Sequence, residues 1–320
     1  MNIELAVLDK QIDKAKELLV ANGLSYDSDI DVTLLAIEEE AVGTISLSSN
    51  VIKCLSVSED FQGMGIALKL VSKVVEYLFS KGVIHYFAYT KANNFEVFRG
   101  LGMTEVVTVD GITLFEGGFY NISTYLKEFK SEHSLDQEYA ALVMNLNPMT
   151  NGHLYLIEKA AKENKNVILF VVEEDKSIFP FDLRYTIAKE ACVHLENVKV
   201  LPSTEYMISK ATFSTYFIKD QKIISELFAK IDFEIFTKYF AKILGITKRY
   251  IGTEPYCVVT SAYNDVMLDS SFEMVLVERK THNDKSISAS LVRELMEKDI
   301  KLIKEYVPDA TYKNLIDFRR

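Results

Sequence analysis

The chain has 320 residues, 48% hydrophobic and 26% charged, with 13 Gly and 5 Pro; at about 100–200 residues per domain this predicts two domains with ample core material and excludes disordered and collagen-like classes. Forty-six acidic against 36 basic side chains give a formal net charge of −10, which repels polyanions at long range, so nucleic acid is excluded as a partner and any phosphate has to be held by a few local groups. The longest apolar runs, such as 167–172, fall far below the ~18 residues that cross a bilayer, and Met1-Asn2-Ile3-Glu4 offers no basic lead-in for a signal peptide, so no membrane partner is expected.

In chain order, strand-like runs at 33–37, 42–47 and 51–57 lead to a helix at 66–80 and a further strand near 84–89, an α/β layout with an antiparallel start. Between the third strand and the helix lies Gln62-Gly63-Met64-Gly65-Ile66-Ala67, with Ile66, Leu70, Val74 and Leu78 repeating every fourth residue after it. A small-residue turn opening onto a helix start offers free backbone N–H groups and the positive end of the helix dipole to an anion, although a purely structural turn explains the local pattern equally well. The order strand, Gln-x-x-Gly-x-Ala, helix resembles the pyrophosphate-binding signature of the GNAT acetyltransferases, and Asn94-Phe95-Glu96-Val97-Phe98-Arg99-Gly100-Leu101-Gly102-Met103 resembles that family's second motif. The resemblance covers most of residues 1–126 and implies a CoA-like ligand held by Gln62, Gly63, Gly65, Ala67 and Asn94. Where many of these transferases carry a tyrosine general acid, this chain has Phe98, which has no proton to give a departing thiolate. That substitution puts direct acetyl transfer by this half in question and leaves the binding of a CoA-like arm.

Residues 127–138, polar and without a sustained apolar period, read as a linker between domains at 1–130 and 131–320. Beyond it, strands are expected at 140–145, 167–172, 198–201, 249–251 and 274–277, alternating with helical segments. Such alternation predicts a Rossmann-like parallel sheet covered on both faces, so the fold class is α/β in both halves.

The first of these strands runs into Asn147-Pro148-Met149-Thr150-Asn151-Gly152-His153 and then a helix. A hydroxyl and an imidazole three residues apart at a helix start, with Gly152 leaving room between them, suit a phosphate; a lone histidine there would be an ordinary cap, but Pro-x-Thr-x-Gly-His as a unit is much rarer. Ile287-Ser288-Ala289-Ser290-Leu291-Val292-Arg293 begins a second helix, with Ser288 a natural N-cap and Arg293 opposite the apolar stripe of Val292, Leu295 and Met296. Both motifs resemble those of the nucleotidyltransferase superfamily, which attacks the α-phosphate of ATP and expels pyrophosphate. Two further segments belong at the carboxyl ends of strands, where open parallel sheets bind ligands. In 175–184, Lys176 and Arg184 are the phosphate candidates; in Gly252-Thr253-Glu254-Pro255, Glu254 or nearby backbone could accept from ribose or adenine.

The fusion of these halves resembles the citrate lyase ligase family. That resemblance implies an AMP-forming acid–thiol ligase using acetate, ATP and Mg²⁺ to acetylate the CoA-derived prosthetic group of the citrate lyase acyl carrier subunit, in the cytoplasm. It implies His153, Thr150, Lys176 and Arg293 as catalytic groups and Asn147, Gly152, Arg184, Gly252, Thr253, Glu254, Ser288 and Ser290 as ATP-binding groups. Alternatives are an adenylyltransferase acting on a phosphopantetheine-like acceptor and a non-catalytic CoA- or carrier-binding module. Cys54, Cys192 and Cys257 are scattered and odd in number, which fits a reducing compartment; each reads as a buried small hydrophobe. His85, His133, His194 and His282 show no metal-ligand spacing, and no protein metal site is expected.

Overall fold

The computed structural model describes residues 1–91, 95–173, 177–207, 221–253, 258–279, 281–282 and 285–318. The chain divides into two compact units, Met1–Tyr125 with Thr212–Glu234 and Leu126–Ala211 with Ile235–Arg320.

The first unit runs β1 (Asn2–Leu5), α1 (Asp9–Ala21), β2 (Val32–Ile37), β3 (Ala41–Ser48), β4 (Val51–Val57), α2 (Ile66–Ser80), β5 (His85–Lys91), α3 (Phe95–Gly100), β6 (Thr104–Val109) and β7 (Ile112–Gly118). Its strands form one sheet in the order β1-β2-β3-β4-β5-β7-β6. Every neighbouring pair is antiparallel except β4–β5. The stripe expected on α2 is its core face: Ile66, Leu70, Val74 and Leu78 are buried against Ala36, Ile45, Leu47, Ala88 and Phe115. Parallel pairing of β4 with β5 is confined to Val51↔Phe87 and Ile52↔Ala88, although each strand has seven residues. Past that point Cys54 takes a φ of +55°, and the two strands run on without pairing. The gap they leave is where the Gln62–Ala67 turn sits.

The expected linker is corrected in its first half. Residues 127–132 are the last turns of α4 (Ile122–Glu132), because Ile122, Leu126 and Phe129, spaced four and three apart, are buried on one face. This stripe starts upstream of the polar segment, so the segment read in isolation loses its period.

The second unit holds β8 (Tyr139–Met144), α5 (Asn151–Glu163), β9 (Val167–Val171), α6 (Phe181–Ala191) and β10 (Val198–Pro202). Its sheet, β10-β9-β8-β11-β12, is parallel throughout, as expected. A long helix, α7 (Gln221–Ile235), comes next. Its residues up to Glu234 group with the first unit, where Lys230 pairs with Asp110 at 2.7 Å. The chain continues through a π-helical turn (Phe236–Ala241), α8 (Lys242–Leu244), β11 (Ile246–Gly252), α9 (Val258–Leu268), β12 (Glu273–Val277), the short pair β13 (Thr281–His282) and β14 (Lys285–Ser286), α10 (Ala289–Lys298) and α11 (Asp309–Phe318). Leu142, Met144, Leu169 and Val171 from the sheet pack with Ile157, Ile187, Val292, Met296 and Leu315 from the helices in one core. Strands buried on both faces have to be apolar along their whole length, so β8 and β9 were readable as continuous runs.

Candidate functional site

At the carboxyl edge of β8 the chain turns through Asn145–Met149 into α5, whose N-cap is Thr150, 1% exposed. The cap is reciprocal: the His153 backbone N–H donates to Thr150 Oγ1 (3.3 Å), and the Thr150 backbone N–H donates to His153 Nδ1 (3.0 Å). A backbone N–H can only donate, so Nδ1 is an acceptor, the neutral ring carries its proton on Nε2, and the Thr150 hydroxyl, 3.1 Å from Nδ1, is oriented to donate to it as well. Burial, and then the positive charge of Arg279, push the imidazole down to about 4. His153 is therefore an uncharged Nε2–H donor at neutral pH.

The two motifs meet here. A Cβ on Gly152 would stand 3.2 Å from the Ile287 carbonyl oxygen and 3.5 Å from Thr150 Oγ1, so the missing side chain admits the Ile-Ser-Ala-Ser segment rather than leaving an empty space. Arg293 Nη1 donates to the Asn147 carbonyl at 2.5 Å, joining residues 146 apart in the chain. Ser288 caps α10 by accepting from the Leu291 N–H (3.1 Å), and its hydroxyl lies 3.0 Å from that of the exposed Ser290. Asn147 Oδ1 accepts from the Phe179 N–H (3.2 Å), and Asn145 Nδ2 donates to Ser177 Oγ (3.2 Å), tying the β8 loop to the one after β9.

Arg184 departs from its expected place. It is fully buried, donating through Nε to Phe179 O (2.9 Å) and through Nη1 to Asn145 O (2.6 Å), Asn145 Oδ1 (2.8 Å) and Val172 O (2.8 Å). The guanidinium supplies the donors that three irregular backbone stretches lack, so it shapes the loops behind the site instead of meeting a phosphate.

Gly252 and Thr253 follow β11, and Gly252 O accepts from Asn264 Nδ2 at 2.9 Å. Thr253 receives a cation that the motifs did not signal: Arg279 donates through Nε to Thr253 O (2.7 Å) and through its backbone N–H to Thr253 Oγ1 (3.2 Å). Its only cue in the sequence is its place two residues past β12, at the same edge of the sheet. Lys176, Glu254, Cys257 and Asn94 lie outside the described residues.

The first unit has its own cavity, of about 710 Å³, in the gap between β4 and β5. Leu55, Ser56 and Val57 line one wall, Thr90 and Lys91 the other, and Gln62, Gly63, Gly65 and Ala67 lie at the start of α2. Gly63 and Gly65 take φ of +78° and +75°, and a Cβ on either would meet nothing within 4 Å, so the turn needs glycine for its backbone and faces open space. Gln62 Nε2 donates to Val57 O (3.2 Å). Phe98 lines the same cavity, 4% exposed and stacked on Phe115 at 5.7 Å, so no phenolic proton is available there. Cys54 and Cys192 are buried, and burial pushes both thiols up to about 12. Neither is a nucleophile at neutral pH.

Residues 139–315 match the family model of the citrate lyase ligase C-terminal domain, and residues 11–102 match the acetyltransferase (GNAT) family. The chain is 34% identical over 327 aligned positions to citrate (pro-3S)-lyase ligase of Escherichia coli strain K12, covering 98% of this chain and 93% of the relative. It is 32% identical over 315 positions to the protein of that name from Haemophilus influenzae, covering 94% of each. A shorter likeness, 32% identity over 83 residues, spans 25% of this chain and 52% of a phosphopantetheine adenylyltransferase from Campylobacter hominis.

Proposed function

Since the chain belongs to the citrate lyase ligase family and is an enzyme of that class, we propose that it uses ATP to acetylate the thiol of the CoA-derived prosthetic group on the acyl carrier subunit of citrate lyase. A carboxylate oxygen of acetate attacks the α-phosphorus of ATP, giving acetyl-adenylate and pyrophosphate. The carrier thiolate then attacks the acetyl carbonyl carbon and AMP leaves. The observation that carries this reading is the meeting of the two motifs at one edge of the parallel sheet, through Gly152 against the Ile287 carbonyl and Arg293 on the Asn147 carbonyl.

Acetate is a weak nucleophile, and its attack builds negative charge on the phosphoryl oxygens and the departing pyrophosphate, so donors fixed beforehand lower the barrier without reorganising. His153 Nε2–H, the Ser290 hydroxyl and Arg293 are such donors, with Thr150 holding the imidazole, Lys176 joining the phosphate side, Arg184 shaping the loops behind it and Ser288 holding α10. Asn147, Gly152, Gly252, Thr253 and Glu254 form the walls for ribose and base. Among the described residues no three His, Cys, Asp or Glu side chains gather to hold a metal ion; Mg²⁺ would be carried by the triphosphate. Residues 131–320 perform this step. Residues 1–130 hold the carrier's CoA-like arm in the β4–β5 cavity through Gln62, Gly63, Gly65, Ala67 and Asn94, a role that needs no acid at Phe98. Among the described residues no helix is long and apolar enough to cross a membrane, and the reduced cysteines suit a cytoplasmic enzyme.

Pyrophosphate exchange into ATP tests the reading. Exchange that requires acetate supports the ligase; exchange that requires phosphopantetheine instead assigns an adenylyltransferase; no exchange leaves a binding module and defeats the proposal.

A further inference from the structure

The gap that makes the β4–β5 cavity begins at a bulge, and a buried lysine stands beside it. Across β3, Lys53 pairs with Ser46 and Ser56 with Thr44, so Cys54 and Leu55 face the single residue Ile45. Parallel pairing with β5 has already ended at Ile52, and Leu55, Ser56 and Val57 become cavity wall. Cys54 carries the bulge at a φ of +55°, a conformation that a residue with a side chain keeps only where its surroundings hold it there.

The loop after α1 does the holding. Lys53 is 1% exposed, and its Nζ lies 3.0 and 2.9 Å from the two carboxylate oxygens of Asp29 and 3.3 Å from Asp27 Oδ2. Cys54, fully buried, donates from Sγ to Ser25 O at 3.9 Å. The far end of this loop is fastened to the β3–β4 turn: the Asp31 N–H donates to Leu47 O (2.8 Å), Ser48 Oγ to Asp29 Oδ2 (2.8 Å) and the Ser49 N–H to Asp31 Oδ2 (2.6 Å). Its near end, Asn22 and Leu24, lines the cavity opposite nothing but open space at Gly63 and Gly65. A buried ammonium paired with carboxylates gains little over apolar packing of the same volume, yet removing it leaves two carboxylates together without their cation.

We propose that Lys53 is a positioning residue of the β4–β5 cavity: by gripping Asp27 and Asp29 it binds the β4 bulge and the 22–31 loop to each other, so that two walls of the cavity stand preformed when the carrier's CoA-like arm arrives. Lys53 belongs to neither GNAT-like motif, and its part in arm binding rests on the reading of the cavity as the arm's site. Without the ammonium, Asp29 and Asp27 turn toward water, the loop follows them, and Asn22 and Leu24 leave the wall.

The test uses the full chain, the variant Lys53→Met and the milder Asp29→Asn, which keeps an acceptor for Ser48. Hydrogen exchange read by mass spectrometry should show residues 22–31 and 53–57 losing protection in Lys53→Met while α2 and β7 keep theirs. Coenzyme A, titrated calorimetrically, should bind about tenfold more weakly, as for a cavity whose walls are in place about a tenth of the time, with a smaller loss in Asp29→Asn. In carrier acetylation KM for the carrier should rise by about as much while kcat stays within about threefold. Unchanged exchange in 22–31 and 53–57 overturns the proposal, and so does loss of protection that spreads through α2 and β7, which would make Lys53 a support of the whole unit. Local loosening with coenzyme A affinity intact overturns it as well. If wild type itself failed to bind coenzyme A while Lys53→Met still loosened only the loop and the bulge, the reading of the cavity as the arm's site would fall and the anchoring by Lys53 would stand.

Discussion

Replacing Arg184 by methionine separates the two roles that an arginine can have in such a loop. The side chain is 0% exposed and, among the described residues, donates to Phe179 O, Asn145 O, Asn145 Oδ1 and Val172 O. Methionine keeps much of the volume and removes every donor. Each buried acceptor left without a partner costs about 1–3 kcal/mol, and partial rehydration and loop relaxation recover some of this, so a net loss of about 4 kcal/mol is expected. At about 2–4 °C per kcal/mol for a unit of this size, the melting temperature should drop by about 10 °C or more. Lysine, with one ammonium in place of a planar fork, cannot span carbonyls from three backbone stretches and should recover less than half of the loss. Calorimetry gives the melting temperatures, and acetate-dependent exchange at 20 °C, well below either transition, gives KM for ATP. A methionine variant that melts within 2 °C of wild type while its KM for ATP rises tenfold would refute the reasoning, because the guanidinium would then be spending its charge on nucleotide and not on the loops.

Three other perturbations follow from the same geometry. The His153 ring is depressed to about 4 from an ordinary 6.5; the unfolded chain therefore takes up the proton first, and stability present above pH 6.5 is lost as pH falls from 6.5 toward 4, by up to about 3 kcal/mol. Melting curves of wild type and His153→Gln over that window should diverge, and parallel pH dependences would remove His153 as the cause. Gly152→Ala forces a Cβ to 3.2 Å from Ile287 O, a contact tight enough to part the two motifs; exchange should fall about tenfold while the melting temperature drops only a few degrees, and normal exchange in the variant would mean that the segments slide freely. Gly65→Glu meets no atom within 4 Å but places a carboxylate at the start of α2 and strains a φ of +75°; it should keep acetate-dependent exchange and lose acetylation of the carrier thiol, whereas normal carrier acetylation would assign the cavity no part in the second step.

The sequence was most readable where burial is two-sided. β8 and β9 appear as apolar runs because helices cover both faces of a parallel sheet, and α2 appears as a four-residue repeat because only one face is buried. The β6–β7 hairpin escaped, although Asp110-Gly111, with φ of +48° and +78°, is the kind of turn that marks a two-residue connection and was there to be used. In the candidate site, Thr150, Gly152, His153, Ser288 and Arg293 were legible as compact motifs, since a helix start determines local geometry from local sequence. The roles of Arg184 and Arg279 were not. Nothing within a few residues of Arg184 says that its head group will meet carbonyls from Asn145 and Val172, and nothing near Arg279 names Thr253, 26 residues earlier. Both are products of strand order, which brings together the ends of β8, β9, β11 and β12.

Strand order also resolves the tension between a chain of net charge −10 and the polyphosphate binding proposed for it. Screening limits the reach of the surrounding carboxylates to about 10 Å at ordinary ionic strength, so what an anion feels is the set of groups within that distance. Around the start of α5 the described groups include a neutral imidazole, the Arg293 guanidinium, and two helix starts without an acidic residue in their first turns. The imidazole matters by what it withholds. A charged His153 would attract the ground-state triphosphate as strongly as the transition state, whereas a neutral donor strengthens as charge develops on the oxygen it faces, and only that difference accelerates the reaction. In the proposed reaction attraction is therefore left to Arg293 and discrimination to the ring. The same logic explains why the first unit can do without an acid at Phe98: if the thiol arrives at a preformed acetyl-adenylate, the leaving group is AMP, whose phosphate needs no proton from the GNAT-like sheet.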